Sequence, residues 1–351
     1  MKGSEIKKNL LPYKMVEAQG AVKTLCYAKN GSMLLVGATE IKSGSSIRLY
    51  TTNTYDALPI EIAHDAPIDA LDTNPDNQDF VLAADDVCKI WDYEHGMAKI
   101  ELREANKYNR IKSVEYDKEG DRLLCGSQDG TAKIWDLKSA KCIHVLRGHH
   151  DQIYCARWCP DNSHIATLGA DKTIKVWDVR KGYELVKSEK RAINQSTIAF
   201  NPANAYLVSA GLYLYIYEPL LAFTEVFNIY GKKAPTGGSQ LLENPSMPKA
   251  RSLGFIPGNS AYIIAGISDG TICMCNTQDP SKSLVLNACR AEQSDLFGRA
   301  LMVSPDGKTL AFGSYVENIV RLWKINQLLA CEKSMNEEIE SVNEKDCCSI
   351  N

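Results

Sequence analysis

An aromatic residue, or an apolar stand-in, closes a short alternating run at seven places in the chain: Tyr50, Trp91, Trp135, Trp177, Tyr217, Cys275 and Trp323. Successive markers stand 41, 44, 42, 40, 58 and 48 residues apart. Self-similarity at a period of about 40–45 residues means one supersecondary unit repeated, not a string of unrelated domains. The unit is best kept in Gly148–Asp178, GHHDQIYCARWCPDNSHIATLGADKTIKVWD. Apolar and polar residues alternate through IYCARW, turn at Pro160, Asp161 and Asn162, and alternate again through HIATLGA. A second turn at Asp171 and Lys172 leads to TIKVW and then Trp-Asp. Three period-2 runs joined by tight turns read as an antiparallel meander. One meander cannot bury both its faces, so the copies must cover one another.

A second marker gives the same count. The turn between the first two runs of each unit reads AKNG (28–31), NPDN (74–77), DKEG (117–120), CPDN (159–162), NPAN (201–204), IPGN (256–259) and SPDG (304–307). Pro presets φ for such turns, while Asn, Asp and Gly tolerate positive φ. Units 2, 3 and 4 keep Trp-Asp intact, as KIWDYE, KIWDLK and KVWDVR. Units 1, 5 and 7 have IRLYTT, LYIYEP and VRLWKI, and unit 6 has ICMCNT with Cys275 and Asn276 in the Trp-Asp places.

On these residues the chain resembles the WD-repeat proteins from about residue 20 to 325. The resemblance implies an all-β fold: a single closed seven-bladed β-propeller of four-stranded antiparallel blades, the last completed by a strand from the other terminus. The segment NLLPYKMVEA (9–18) is assigned to that strand; the alternative is INQLLACEK (325–333). The expected organisation is an N-terminal arm (1–8), the propeller (9–330) and an acidic flexible tail (331–351) in which six acids face Lys333 and Lys345. The step of 58 marks an insertion at about 229–250, rich in Gly, Pro, Ser and Lys, which reads as a long loop.

Composition narrows the functional classes. The formal net charge is −3, which does not suit a strongly basic nucleic-acid binder. The N-terminal residues lack the apolar run of a signal peptide, and no stretch nears the roughly 20 apolar residues of a membrane span. The twelve cysteines are scattered, most of them in strand-like runs, as in a reducing compartment. A cytoplasmic or nuclear protein is expected. GATEIKS (37–43) and DGKT (306–309) each miss an element of a phosphate loop. Cys155/Cys159 and Cys273/Cys275 lack metal-ligand spacing. No cofactor, metal or catalytic set is expected.

Four groups of residues stand out. In well-kept WD repeats a His, a hydroxyl, an Asp and a Trp form a buried hydrogen-bond chain, and unit 4 matches with His149, Thr167, Asp171 and Trp177. The set also resembles a hydrolytic triad, but the hydroxyl would lie within a strand, so it reads as framework. Unit 2 keeps His64, Asp85 or Asp86, and Trp91. Loops leading into each blade, which the resemblance places on the narrow face, carry Arg103, Lys107, Tyr108 and Arg110, then Arg147, His150 and nearby Tyr154, then Lys190 and Arg191, with Lys232 and Lys233 in the insertion. One sign of charge on one face would favour acidic or phosphorylated partner segments, against the alternative that Lys and Arg are simply common on loops.

The residues WDVR (177–180) look like the WD-x-R box of cullin-type ubiquitin-ligase substrate receptors, with Arg180 at the adaptor-contacting place; unit 3 has Lys138 there. The final Cys348-Ser-Ile-Asn has the form of a prenylation box with two positions off-pattern. Membrane association would require that modification. The function expected is a non-catalytic protein–protein interaction scaffold or adaptor, a monomeric propeller within a hetero-complex. The alternative is the ligase substrate receptor.

Overall fold

A computed structural model describes residues 10–40, 44–76, 79–104, 109–190, 195–202, 206–211, 213–217, 223–228, 248–277, 283–288 and 300–331. After β1 (Lys14–Glu17), the strands come in fours. The first set is β2 (Ala21–Tyr27), β3 (Met33–Glu40), β4 (Gly44–Thr51) and β5 (Ala57–His64). The second is β6 (Ile68–Thr73), β7 (Asp79–Ala84), β8 (Val87–Asp92) and β9 (Ala98–Arg103). The third is β10 (Ile111–Tyr116), β11 (Arg122–Ser127), β12 (Thr131–Asp136) and β13 (Lys141–Arg147). The fourth is β14 (Ile153–Trp158), β15 (His164–Gly169), β16 (Thr173–Asp178) and β17 (Glu184–Lys190). The fifth is β18 (Gln195–Phe200), β19 (Leu207–Gly211), β20 (Tyr213–Tyr217) and β21 (Phe223–Asn228). The sixth is β22 (Ala250–Ile256), β23 (Asn259–Ile267), β24 (Thr271–Asn276) and β25 (Leu284–Asn287). Last come β26 (Ala300–Val303), β27 (Thr309–Gly313) and β28 (Ile319–Lys324).

Each set of four pairs in sequence order as an antiparallel sheet. The three last strands take β1 as their fourth, with Val16 opposite Val320 and Met15 opposite Arg321. The described strands thus form seven four-stranded antiparallel sheets, the blades of an all-β propeller. Of the segment 9–18, only Lys14–Glu17 is strand. Residues 325–331, the other candidate for the fourth strand of the last blade, are helical, so that alternative is excluded. The helical segment packs Ile325 and Leu328 beneath Trp323. Most of the insertion (229–247), the arm (1–8) and the tail from 332 onward lie outside the described residues.

Turn chemistry sets the register. Between the first and second strands of four blades the amide of the fourth turn residue returns to the carbonyl three residues back, as in Gly31 to Ala28 (2.8 Å) and Asn162 to Cys159 (2.8 Å). The chain leaves these turns through the left-handed region, at Gly31 (φ 73°), Gly120 (79°), Asn162 (57°) and Gly307 (69°). Once the turn is set, alternation decides which side chains enter the core.

The core is a series of apolar clusters, each held between two successive blades. One joins Leu35, Ile47 and Ile62 to Phe80 and Leu82, and another joins Leu124 and Ile134 to Trp158 and Ile165. A cluster of the same kind joins Val16, Ala311, Val320 and Leu322 of the last blade to Val22, Leu34 and Val36 of the first. Fully buried side chains such as Phe80 and Phe312 each contribute roughly 1.5–3 kcal/mol relative to exposure. The first strands of the blades face inward around a central channel.

Candidate interaction surfaces: the central channel and the blade faces

The best-kept blade, β14–β17, is held by the hydrogen-bond chain its sequence contains. His149, just before β14, puts Nε2 2.8 Å from Thr167 Oγ1 on β15 and Nδ1 3.0 Å from Asp171 Oδ2. Trp177 Nε1, on β16, donates to Thr167 Oγ1 at 3.0 Å. Thr173 joins them, its hydroxyl donating to Asp171 Oδ1 at 2.7 Å and lying 3.0 Å from His149 Nδ1. The Asp171 carboxylate also accepts from the amides of His150 and Thr173, each at 3.0 Å. Burial works to raise the Asp171 pKa, but these donors outweigh it and hold the group down at about 2. Burial pushes the His149 pKa below its ordinary value, against the pull of Asp171. A neutral imidazole with its proton on Nδ1 completes every bond: indole to hydroxyl, hydroxyl to Nε2, Nδ1 to carboxylate.

Gly169 makes room for this. A Cβ there would stand 2.4 Å from His149 Nδ1 and 2.7 Å from Asp171 Oδ1. Thr167 is 0% exposed, and its hydroxyl is occupied on both sides, which suits framework and closes it to a substrate. Blade 2 does not repeat the arrangement despite its His64 and Trp91. His64 Nδ1 takes the amide of Ala66 at 3.1 Å, and Trp91 Nε1 is buried with no hydrogen-bond partner among the described residues. In blade 3, the thiol of Cys125 lies 3.5 Å from that of Cys88 on the neighbouring blade, and Trp135 Nε1 has no described hydrogen-bond partner.

The channel forms a cavity of about 530 Å³ whose wall draws residues from the first strand of every blade. Its cations are Lys23, Lys112, Arg157, Lys249 and Arg251. Tyr154, 41% exposed, stands in the same wall. Deeper on the first strands, carboxylates tie one blade to the next. Asp72 Oδ2 accepts from the Tyr116 amide at 2.8 Å and Asp72 Oδ1 from Lys29 Nζ at 3.3 Å. Glu115 accepts in the same way from the Trp158 amide. Burial lifts the Glu115 pKa to about 7, with Arg157 pulling it down and Asp72 pushing it up. Ser113 makes a parallel link, taking the Ala156 amide at 3.1 Å and Arg157 Nη1 at 2.9 Å.

The basic residues read from the loops are placed differently. Arg103, at the end of β9, pairs with Glu101 (2.6 Å) and Asp86 (3.2 Å). Arg110 pairs with Asp69 (2.8 Å). Arg147 and His150 are exposed, and Lys190 closes β17. Lys107, Tyr108, Arg191, Lys232, Lys233 and the terminal Cys348 lie outside the described residues. Of the described residues of that loop set, only Tyr154 lines the channel. Three of the channel cations, Lys23, Lys112 and Arg251, carry a signal of their own in the sequence. Each blade's first strand has a wall residue directly after its first buried one: Val22-Lys23, Ile68-Asp69, Ile111-Lys112, Ile153-Tyr154, Gln195-Ser196, Ala250-Arg251 and Ala300-Leu301.

Beyond β16, Asp178 Oδ1 caps the turn by accepting from the amides of Arg180 (2.9 Å) and Lys181 (3.3 Å). The Arg180 side chain is 70% exposed, its Nε 3.7 Å from Asp178.

The family model for the WD domain, G-beta repeat, matches residues 101–136 and 140–178. Each match starts in or just before the outer strand of one blade and ends in the third strand of the next, so the sequence repeat is offset from the blade and links neighbours covalently. Protein tipD of Dictyostelium discoideum is 24% identical over 248 residues, 68% of this chain and 36% of that protein. WD repeat and SOCS box-containing protein 1 of Danio rerio is 34% identical over 100 residues, 28% of this chain and 23% of that protein. Eukaryotic translation initiation factor 3 subunit I of Candida glabrata is 27% identical over 186 residues, 49% of this chain and 50% of that protein. The chain thus spans half or less of the length of these relatives.

Proposed function

Because the chain belongs to the WD-repeat β-propeller family, we propose that it is a non-catalytic interaction scaffold, an adaptor subunit that holds segments of partner proteins on its blade faces. The observation that carries this reading is the channel wall, a composite surface to which every blade adds side chains and which no single repeat owns. In this reading the propeller is a closed seven-bladed ring spanning about residues 9–330. The pairing of β1 with β28 and the apolar cluster between the last and first blades support closure. A closed ring leaves no open blade face and gives the wall fixed geometry, so partner binding is not offset by ordering of the receptor. Arg147, His150 and Tyr154 extend the contact surface from the wall to the rim. The working compartment is the cytoplasm or nucleus.

The test is affinity purification of the tagged protein under native conditions, with quantitative mass spectrometry and size-exclusion chromatography. A stoichiometric partner that co-elutes is expected; a chain that elutes alone at its own mass from its native source refutes the scaffold.

A second reading is favoured by Arg180, which is held on a capped turn yet 70% exposed. There the chain is the substrate receptor of a cullin-type ubiquitin ligase. Arg180→Ala, which removes no intrablade hydrogen bond made by its amide, then abolishes adaptor pull-down without a change in melting temperature. Absence of adaptor binding by the wild type ends this reading.

A further inference from the structure

The outer strand of each blade is hydrogen bonded on one side only. An unpaired edge accepts a further strand, and proteins blunt such edges with charged residues and proline. The outer strands next to β13 follow that rule: β9 carries Lys99 and Glu101 within it, β17 carries Lys187 and Glu189, and β5 carries Pro59 and Glu61. In β13, KCIHVLR, the run from Cys142 to Leu146 has neither charge nor proline. Ile143 is 42% exposed and Val145 38%. Ile143 is the residue left over where the register with β12 shifts; beyond it the pairing is unbroken, with His144 opposite Ile134, Val145 opposite Lys133 and Arg147 opposite Thr131. The strand is anchored from behind. Leu146 is buried in the joint with blade 4, and the His144 ring stands 4.2 Å from that of Tyr183. The edge is thus apolar, fixed and open.

Cations close the run at both ends. Lys141 and Arg147 are exposed, and neither forms an ion pair among the described residues. The carboxylates on the adjoining strand and turns are taken up elsewhere. Asp136, opposite Lys141, accepts the amide and hydroxyl of Ser139. Asp129 accepts the Thr131 hydroxyl at 2.6 Å and pairs with Lys133 at 3.2 Å. Glu104 pairs with the same Lys133 at 2.6 Å.

We propose that the edge of β13 takes an extended segment of a partner protein as a fifth strand of blade 3, a segment apolar at its centre and acidic at both ends. Main-chain hydrogen bonds along His144–Arg147 supply the affinity, and side chains set against Ile143 and Val145 supply the fit. A carboxylate at each end meets Arg147 and Lys141. Six residues separate these cations, about 20 Å at the rise of a strand, so the partner's acids stand about six residues apart. Because β13 is already ordered, the partner's own ordering is the main entropic cost of docking. The inference rests on the scaffold reading and gives the scaffold a contact surface on its rim, apart from the channel.

The experiment uses the full chain and three fluorescein-labelled nine-residue peptides of alternating Val and Thr, ended on both sides by Glu, by Lys or by Gln. In fluorescence anisotropy the Glu-ended peptide is expected to bind about tenfold more tightly than the Lys-ended one, with the gap narrowing as salt rises. Hydrogen exchange read by mass spectrometry should slow in the peptide that covers Cys142–Arg147. Lys141→Glu with Arg147→Glu turns the preference over to the Lys-ended peptide, a gain that a misfolded chain would not show. Val145→Lys places a charge within the run and abolishes binding of all three. No binding of any peptide, a preference that survives the charge reversal, or slowed exchange elsewhere overturns the proposal. Two other occupants show themselves in the same samples, and either one overturns it. A dimer in sedimentation that Val145→Lys dissolves assigns the edge to a second copy. Binding that appears only with Glu337→Gln, Glu338→Gln and Glu340→Gln assigns it to the chain's own C-terminal segment. The two readings fail separately. If the charge-reversed variant keeps the native partner and no peptide binds, the edge falls and the scaffold stands; a wild-type chain with no partner sinks the scaffold itself.

Discussion

Thr167→Val is the sharpest test of the framework assigned to blade 4. Valine keeps the shape of threonine and removes one oxygen, and that oxygen serves two buried groups, His149 Nε2 at 2.8 Å and Trp177 Nε1 at 3.0 Å. Neither has a route to water, since Thr167 and the His149 side chain are both 0% exposed. Each group left unsatisfied costs about 1–3 kcal/mol. The added methyl group returns up to about 0.8 kcal/mol of burial. With two such groups, the balance is a loss of about 1–5 kcal/mol in unfolding free energy. In urea titration it reads as a lower midpoint at unchanged slope, which marks a change in stability and not in denatured-state compactness. Trp177→Phe alone removes the indole donor, so the double variant loses less than the sum, with a coupling of about 0.5–3 kcal/mol expected between interacting groups. A Thr167→Val loss below about 0.5 kcal/mol, or strict additivity with Trp177→Phe, would refute the assignment of the chain as a stiffening element.

Three other perturbations test the remaining parts of the architecture. A Cβ on Gly313 of β27 would lie 2.3 Å from Val22 Cγ1 of the first blade, so Gly313→Ala loosens the joint between last and first blades. Overpacking of this kind costs about 1–3 kcal/mol, and Val22→Ala in the same chain recovers part of it; a stability loss untouched by Val22→Ala argues against ring closure at that seam. Glu115, raised by burial to about 7 from an ordinary 4.5, holds its proton more tightly folded than unfolded, so its contribution is present below pH 4.5 and is lost as pH rises to about 7. Glu115→Gln therefore flattens the stability profile across that window, and an unaltered profile in chemical denaturation refutes the burial argument. His149 has the opposite sense. Its folded pKa lies below the ordinary 6.5, so the unfolded chain takes up the proton first and stability falls as pH drops below 6.5; His149→Gln should remove that part of the slope.

Much of this fold is legible from turns and alternation because both act locally. The closing residues Tyr50, Trp91, Trp135, Trp177, Tyr217, Cys275 and Trp323 all lie in the third strand of a blade, and the Pro-Asp-Asn-Gly turns all separate the first strand from the second. The N-terminal strand is read too long because an edge strand needs little from its side chains. Lys14–Glu17 is held by backbone pairing with β28, and Val16 is its one buried residue. Thr173 escapes notice because it belongs to an Asp-x-Thr corner, not to the repeat signature. Asp129 with Thr131 and Asp269 with Thr271 make the same short bond at 2.6 Å, yet in the described structure only the blade 4 corner is joined to a His.

The site is less legible than the fold because the conspicuous loop cations Arg103 and Arg110 find carboxylate partners. Arg103 with Asp86 and Glu101, and Arg110 with Asp69, illustrate that outcome: the half-exposed guanidinium groups are taken up by carboxylates of their own or the neighbouring blade. On the first strands the geometry restricts such pairing. Their side chains face the channel from separate blades, each fixed by its own sheet, so a cation and an acid meet across the wall only where consecutive blades supply both. Blades 2 and 3 do, through Asp69 and Lys112, whose Nζ lies 3.8 Å from Asp69 Oδ1. Blades 5 and 6 supply Ser196 and Arg251, which meet by a hydrogen bond at 3.4 Å. The character of the described wall thus varies with which residue follows the first buried position of each inner strand, from Lys23 and Asp69 to Tyr154, Ser196 and Leu301. That position faces the channel and not the packing between sheets, so it can differ from blade to blade. In the scaffold reading proposed above, this inner-strand position is where the blades differ in what they present to a partner.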